Sequence, residues 1–459
     1  MMLSPNALSI TACALRNRPA GAPPGLPAAG SLVAHWDSSD IGGLADGAAV
    51  SAWVDRIHGL EATQATSANR PTFRSAAMNG RPCLQFSGSQ WLSAVAAGSA
   101  LKGAVDTRNY TVLIVHQNAA VRANGALFGC TAGGNGFHFL ANGSVQGRFD
   151  SGSINLTVPI EDAGLATLGC ASTTNQSNGS GSGLERIYVN GGCVASNVAP
   201  GPATAASTDF GIGAGRGSGT FPVQAQVGAI LVWAATLRPD EMIQAERYVR
   251  HIYGLPAPWE GREAFVLFHG DSQTAGVGSE LGAQGAYHYK VKQALGLKLG
   301  QYSQLGIGGI NMVNMTARAL FEVDPISAAT GIPTALAVFE WFNQRNNSSA
   351  ISDTVAYLQA RRSAGIDRIA FGTSLDYIDT QGGLDNRAAF NAYFDVEANR
   401  AGLIDAYVPL HLDPNIGVEG ACPAPPGPYT PNFSDGIHLR SAGNDYLAAM
   451  FAPAVGSII

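Results

Sequence analysis

The sequence predicts two folded units of different class. Residues 31–258 read as an all-β sandwich of jelly-roll type, and residues 259–459 as a three-layer α/β unit with a parallel sheet. Three observations carry this. Asn-Gly pairs begin at Asn79, Asn124, Asn135, Asn142, Asn178 and Asn190, and none follows; this dipeptide readily takes the positive φ values of tight hairpin turns. Beyond the last of them, strand-sized apolar runs alternate with helix-period segments, the pattern of a parallel sheet covered on both faces. The chain of 459 residues carries 57 glycines and only 13% charged residues, a composition rich in strands and turns and long enough for two or three domains.

In the first half, β-branched and aromatic runs recur between turn residues: Leu32–Trp36, Tyr110–Val115, Phe137–Leu140 and Arg186–Val189. Residues 1–30 read as an extension ending in a Pro/Gly/Ala linker, and 173–183 as an exposed polar loop. A helix closes this half, with Pro239 in its first turn and Met242, Ala245, Val249 and Ile252 on one face. Gly254 and Pro256 end it.

In the second half the expected strands are Phe265–Phe268, Leu299–Leu305, Ala335–Phe339, Arg368–Phe371 and Leu403–Val408. Helices are expected near Tyr287–Ala294, where Gly296 stops the run, and over Asn311–Phe321, Ser352–Ser363 and Asn386–Arg400. A last helix, containing Tyr446, Leu447 and Met450, has Ser441 as its expected cap.

Composition excludes several function classes. The net charge is −6 with no Lys/Arg cluster, which argues against nucleic acid or an anionic membrane as partner. The longest apolar run, residues 228–235, is strand-sized and too short for a membrane span. The six cysteines (Cys13, Cys83, Cys130, Cys170, Cys193 and Cys422) are widely spaced without Cys-x-x-Cys, so buried free thiols are expected rather than a zinc site; disulfides among the first five stay open. No His-Glu-x-x-His or comparable ligand spacing occurs, so neither metal nor cofactor is expected. Residues 1–30 lack a basic segment before their apolar residues, so no secretory signal is recognised. Extracellular or virion-associated action is nevertheless the expected setting, ahead of the cytoplasm.

The chemistry lies in the second half. Ligand sites of parallel α/β sheets form outside the carboxyl ends of the strands. Gly270-Asp271-Ser272 follows the first strand, Gly306-Ile307-Gly308-Gly309 another, and Asn343 a third. Near the C-terminus, Asp435-Gly436-Ile437-His438 sets a carboxylate three residues before an imidazole. A serine is a weak nucleophile until a neighbour takes its proton, and a late Asp-x-x-His provides a base and its orienting group. Taken singly, each is common in turns or on solvated surfaces. Their occurrence in order, each beyond an expected strand, points to a hydrolase. His411, with Asp413 two residues on, is a rival base, and His269 reads as a strand-end residue shaping the pocket. No Gly-x-Ser-x-Gly elbow is present.

On these blocks the segment from about Gly261 onward resembles the SGNH hydrolases of the GDSL esterase/lipase superfamily. The Gly-Asp-Ser block is matched at Gly270, Asp271 and Ser272, with Gln273 where many members have Leu. The second block keeps Gly306 and Gly309, with Gln304 in place of Asn. The third keeps Asn343, with Trp341 for Gly and Gln344 for Asp; Asn346 is the alternative in another register. The last block matches at Asp435 and His438. The resemblance implies Ser272 as nucleophile, His438 as base and Asp435 as its orienting carboxylate. It implies an oxyanion hole of the Ser272 and Gly309 backbone N–H groups with the Asn343 amide, and Asp271 in support. The first half resembles a concanavalin A-like, laminin G-like jelly roll, on Leu32–Asp37, Leu84–Gly88 with Trp91, and the strand Val227–Ala234 before the Pro239–Tyr253 helix. Such a module binds sugars or serves as a spacer; Trp36, Trp53 and Trp91 read as core.

The resulting expectation is an esterase removing acyl groups, acetyl above all, from a carbohydrate or polysaccharide. The alternatives are a lipid, small-ester or acyl-transferring enzyme, and a non-enzymatic adhesin or viral receptor-binding protein with a decayed hydrolase unit.

Overall fold

The structure, a computed structural model, describes residues 25–107, 109–117, 125–130, 136–139, 144–148, 156–159, 165–173, 183–199, 208–377, 381–422 and 431–459. Cys13, Leu140, the asparagines at 124, 135, 142 and 178, most of the loop 173–183 and the proline-rich stretch 423–430 lie outside them.

The first half is an antiparallel β-sandwich of two eight-stranded sheets. One sheet runs from the edge strand Gly192–Ala199 through Gly183–Val189, Leu165–Thr173, Tyr110–Gln117, Gln224–Trp233 and Arg81–Ser87 to Thr72–Met78, and Leu32–Asp37 also pairs with Gln224–Trp233. Asn79 and Gly80 take φ of 49° and 79°, and Asn190 and Gly191 take 53° and 82°. These are the two-residue hairpin turns that the Asn-Gly pairs predict.

The central strands are buried on both faces, and the side-chain period of two explains how. Along Tyr110–Gln117, Tyr110, Val112 and Ile114 enter the sandwich core, while Leu113 and Val115 face the opposite way. The helix Pro239–Ile252 lies there, burying Met242, Ile243, Ala245 and Val249 in the same cluster. Trp36 and Trp53 are fully buried. Trp91 is half-buried, and its indole donates to the Gly217 carbonyl at 3.1 Å. Cys83, Cys130, Cys170, Cys193 and Cys422 are buried.

The second half holds a five-stranded parallel sheet flanked by helices. Its spatial order is Tyr302–Gln304, Phe265–Gly270, Thr334–Phe339, Arg368–Gly372 and Ala406–Val408. The strand that comes first in sequence is second in the sheet. The chain leaves it to one side for the second strand and crosses to the other for the third. The loops at this switch point diverge and open a crevice, and Ser272 follows the first strand while Asn343 follows the third.

Four elements differ from expectation, one of them the strand placed at Leu403–Val408, which pairs only over Ala406–Val408. The strand placed at Leu299–Leu305 pairs only over Tyr302–Gln304. The helix expected over Asn386–Arg400 starts at Gln381 and breaks into Gln381–Asp395 and Glu397–Arg400, with Val396 extended at φ −75°, ψ 113°. The last helix, Ser441–Gly456, has Arg440 at its cap position rather than Ser441. The Ser441 hydroxyl instead meets that of Ser279 at 3.1 Å, and its N–H is taken by the Glu280 carboxylate at 2.9 Å, which does the work of a cap.

The halves share their packing. The cluster of Leu113, Met242 and Trp233 continues into Phe265, Leu267, Met315 and Leu336 of the second half. Arg186 forms a two-pronged ion pair with Glu322 across the contact, both bonds at 2.9 Å, and Arg318 joins the same carboxylate. Glu322 is held at about 2: burial alone would raise it, but the Arg186 and Arg318 guanidiniums outweigh that.

Candidate active site

Ser272 opens a single helical turn, Ser272–Ala275, directly beyond the strand Phe265–Gly270. The abrupt change of direction is possible because Gly270 lacks a side chain. A Cβ there would lie 2.1 Å from the Phe339 carbonyl oxygen and 2.3 Å from Thr274 Oγ1. Asp271 caps the turn, its carboxylate accepting from the Gln273 N–H at 2.9 Å.

Asp-x-x-His folds back on itself. Asp435 Oδ1 accepts from the backbone N–H of Ile437 at 2.7 Å and of His438 at 2.6 Å. That local turn returns the imidazole to the same carboxylate, with His438 Nδ1 at 2.8 Å from Asp435 Oδ2. His438 Nε2 lies 3.0 Å from Ser272 Oγ. An ionised carboxylate only accepts, so Nδ1 carries the proton and Nε2 presents its lone pair to the serine hydroxyl. Burial alone would raise the Asp435 carboxyl, but the His438 ring and the two backbone N–H groups hold it below its ordinary value. Ser272, His438 and Asp435 are thus brought together in one hydrogen-bonded line, with His438 between the hydroxyl and the carboxylate.

The proposed oxyanion donors come from three segments. Gly309 has φ of 76°, in the left-handed region that favours glycine, and it is exposed. Asn343 is partly exposed; its backbone N–H donates to Glu340 Oε1 at 3.0 Å, and its Nδ2 makes a long contact of 3.5 Å with Asp271 Oδ2. One amide hydrogen turned toward Asp271 leaves the other for a ligand. Asp271 is buried, which pushes its carboxyl up to about 6. Glu340 is raised well above the usual range by burial and by the neighbouring Asp271. The residues that depart from the family pattern in this block serve packing. Trp341 packs against Phe390 with ring centres 4.4 Å apart and the rings tilted by 43°, and Gln344 donates to Thr354 Oγ1 at 3.2 Å inside the core. Asn346 is exposed.

The rival base is engaged elsewhere. His411 has Nδ1 on Thr373 Oγ1 at 2.9 Å and Nε2 on Asp395 at 3.1 Å. Asp413 instead takes the N–H groups of Asn415 and Ile416. His269 is buried, meets the Tyr357 hydroxyl at 2.7 Å, and is driven down to about 3 by desolvation.

Two groups at the site had no motif to reveal them. Gln273 donates to the Ile437 carbonyl at 2.7 Å and accepts from the Leu439 N–H at 3.3 Å, so its amide brackets His438 from both sides. Its position after Ser272, where the resemblance expects Leu, was the available signal. Gly278, at φ 89°, backs onto His438: a Cβ there would lie 2.7 Å from His438 Cβ.

No protein-family profile matches the sequence, and no curated protein is similar to it. Among solved structures, the crystal structure of TesA is similar at 17% identity, over 42% of this chain and 99% of that one, with a TM-score of 0.32. Trypanosoma rangeli sialidase in complex with sialic acid is similar at 16% identity, over 49% of this chain and 35% of that one, with a TM-score of 0.32. Domain 4 of AbnA, a GH43 extracellular arabinanase from Geobacillus stearothermophilus, in complex with arabinotriose, is similar at 13% identity, over 48% of this chain and 98% of that one, with a TM-score of 0.32. Among the described residues no helix is long and apolar enough to cross a membrane.

Proposed function

We propose that the chain is a serine ester hydrolase of the SGNH kind, acting on short-acyl esters, acetyl esters of a carbohydrate above all. The observation that carries this reading is the unbroken relay from Asp435 Oδ2 through His438 to Ser272 Oγ, at 2.8 and 3.0 Å. In this reading His438 Nε2 takes the serine proton as Oγ attacks the ester carbonyl, then delivers it to the departing alcohol. Asp435 keeps the ring in the productive tautomer and offsets the charge of the imidazolium. The tetrahedral oxyanion is received by the N–H groups of Ser272 and Gly309 and by Asn343 Nδ2. A second passage with water in place of the alcohol releases the acid and restores the serine.

The acetyl preference belongs with the carbohydrate assignment. The carbohydrate assignment is supported by architecture alone: a lectin-like sandwich beside the site would hold a glycan near the nucleophile.

The test is hydrolysis of p-nitrophenyl acetate and acetylated xylan by the parent chain and by Ser272→Ala. The expected result is turnover of both by the parent and loss of about 10³-fold or more in the variant. Equal turnover by the variant would sink the nucleophile assignment. Turnover of the small ester without acetate release from xylan would keep the hydrolase and remove that glycan. Glycan-array binding by the full-length Ser272→Ala chain reads the sandwich as a lectin; no binding makes it a spacer.

A further inference from the structure

The edge strand of the sandwich, Gly192–Ala199, runs along the segment that leads into the proposed oxyanion loop. The approach is close enough that a Cβ on Gly192 would lie 2.3 Å from the Tyr302 carbonyl oxygen. Ser196, on that strand and 5% exposed, donates its hydroxyl to the Gly306 carbonyl at 2.5 Å. Gln304, fully buried, donates Nε2 to the same Ser196 Oγ at 2.8 Å and accepts the Gly306 N–H on Oε1 at 2.9 Å.

These three bonds form a ring with only one consistent sense. Gly306 N–H can only donate, so the Gln304 oxygen faces it and the Gln304 NH₂ faces Ser196. The serine hydroxyl, already an acceptor, must spend its own proton on the Gly306 carbonyl. Both polar groups of Gly306 are therefore fixed, one by its own strand and one by the other half of the molecule. The opposite side of Gly306 is closed as well: a Cβ there would lie 2.3 Å from the Ala275 nitrogen, in the turn that carries Ser272. The next residue, Ile307, donates to the Gly270 carbonyl at 3.1 Å. Gly306 is thus clamped between the nucleophile's turn and Ser196, three residues before Gly309.

We infer that Ser196 is a positioning residue of the hydrolase site, supplied by the β-sandwich, which sets the oxyanion loop by closing the Ser196–Gln304–Gly306 ring. The inference rests on the hydrolase reading above. The sandwich is then part of the catalytic architecture, whatever it also binds. Without Ser196, the Gly306 carbonyl and the Gln304 amide lose their partner in a dry interface, and the loop relaxes to satisfy them. A small misplacement of catalytic groups costs up to about 10²-fold in rate, and the loss falls on the step in which the oxyanion develops rather than on substrate binding.

A neighbouring bond in the same contact separates positioning from mere adhesion. The Cys193 N–H donates to Ser303 Oγ at 2.9 Å, a buried link between the halves that does not touch Gly306. The experiment uses full-length parent, Ser272→Ala, Ser196→Ala, Gln304→Met and Ser303→Ala, assayed on p-nitrophenyl acetate with melting followed alongside. Absence of Ser272-dependent turnover in the parent overturns the hydrolase reading, and this inference with it. Given that turnover, Ser196→Ala is expected to lower kcat about 10- to 100-fold with KM within about twofold. Gln304→Met should do the same, and Ser196→Ala combined with Gln304→Met should be no worse than either alone. Ser303→Ala should lower the melting temperature with kcat within about twofold. A Ser196→Ala kcat within twofold of parent, or an equal loss in Ser303→Ala, overturns the positioning role. If Ser196→Ala does not fold, Gln304→Met breaks the ring from the other side, and its unchanged kcat would refute the proposal.

Discussion

Replacing Gln273 by leucine probes how the base is held. The side chain makes two bonds to the segment carrying His438: Nε2 to the Ile437 carbonyl at 2.7 Å and Oε1 from the Leu439 N–H at 3.3 Å. A short bond is worth about 1.5 kcal/mol net, and a long one about 0.5 kcal/mol. Leucine has similar bulk and removes both, so the productive placement of His438 loses about 2 kcal/mol, or roughly 30-fold in its relative population. The turn itself survives. Asp435 still holds the N–H groups of Ile437 and His438, and the Ser434 N–H still donates to the His438 carbonyl at 2.8 Å. The loss is therefore expected in kcat, about 30-fold on p-nitrophenyl acetate, with KM within about twofold and a folded variant by melting. A kcat within twofold of parent would refute the claim that Gln273 positions the base.

Two further expectations concern buried carboxyls. Glu322→Gln leaves Arg186 and Arg318 without their shared counter-charge, which costs about 3–5 kcal/mol. For a chain of 459 residues unfolding as one unit that is roughly 3–5 °C in Tm; an unchanged Tm by calorimetry would show that the pair contributes nothing. Glu322 has its carboxyl lowered to about 2. Its stabilisation is therefore present above the ordinary glutamate range and is lost as pH falls toward 2, so the difference between parent and variant should shrink on acidification through that window. Glu340 has the opposite sign. Its carboxyl is raised well above the ordinary value of 4.5 by burial and by Asp271, so the protonated form is native and stability is lost as pH rises above that value. Glu340→Gln should remove this loss and flatten the alkaline side of the Tm–pH curve, while an unchanged slope would contradict a protonated Glu340.

The sequence by itself determined most of the elements and which residues meet at the sheet edge. Local rules sufficed where the cause is local: Asn79-Gly80 and Asn190-Gly191 make the positive-φ hairpins, and Asp435 orients His438 through a turn only four residues long. The strand Phe265–Gly270 declares itself by its apolar run, and the order of blocks after strands brings Ser272 to the sheet edge where His438 meets it. Where the cause is non-local, the sequence was silent. Gln273 and Leu439 are far apart in the chain, so nothing near Gln273 announced that its amide would bracket the base. The Glu280 carboxylate that takes the Ser441 N–H lies 161 residues away in the chain, so no local pattern announced it.

Tertiary structure alone decided what surrounds Ser272. Ser196 and Gly306 lie in different halves with different grammars, and their bond exists because two sheet edges dock. The Asp271 carboxyl is raised by burial, and that of Glu340 by burial and by the neighbouring Asp271, which no one-dimensional pattern encodes. Periodicity and turn chemistry act over a few residues and can be read along the chain. Desolvation and the satisfaction of buried polar groups depend on which distant segments meet, and they exist only in the folded protein.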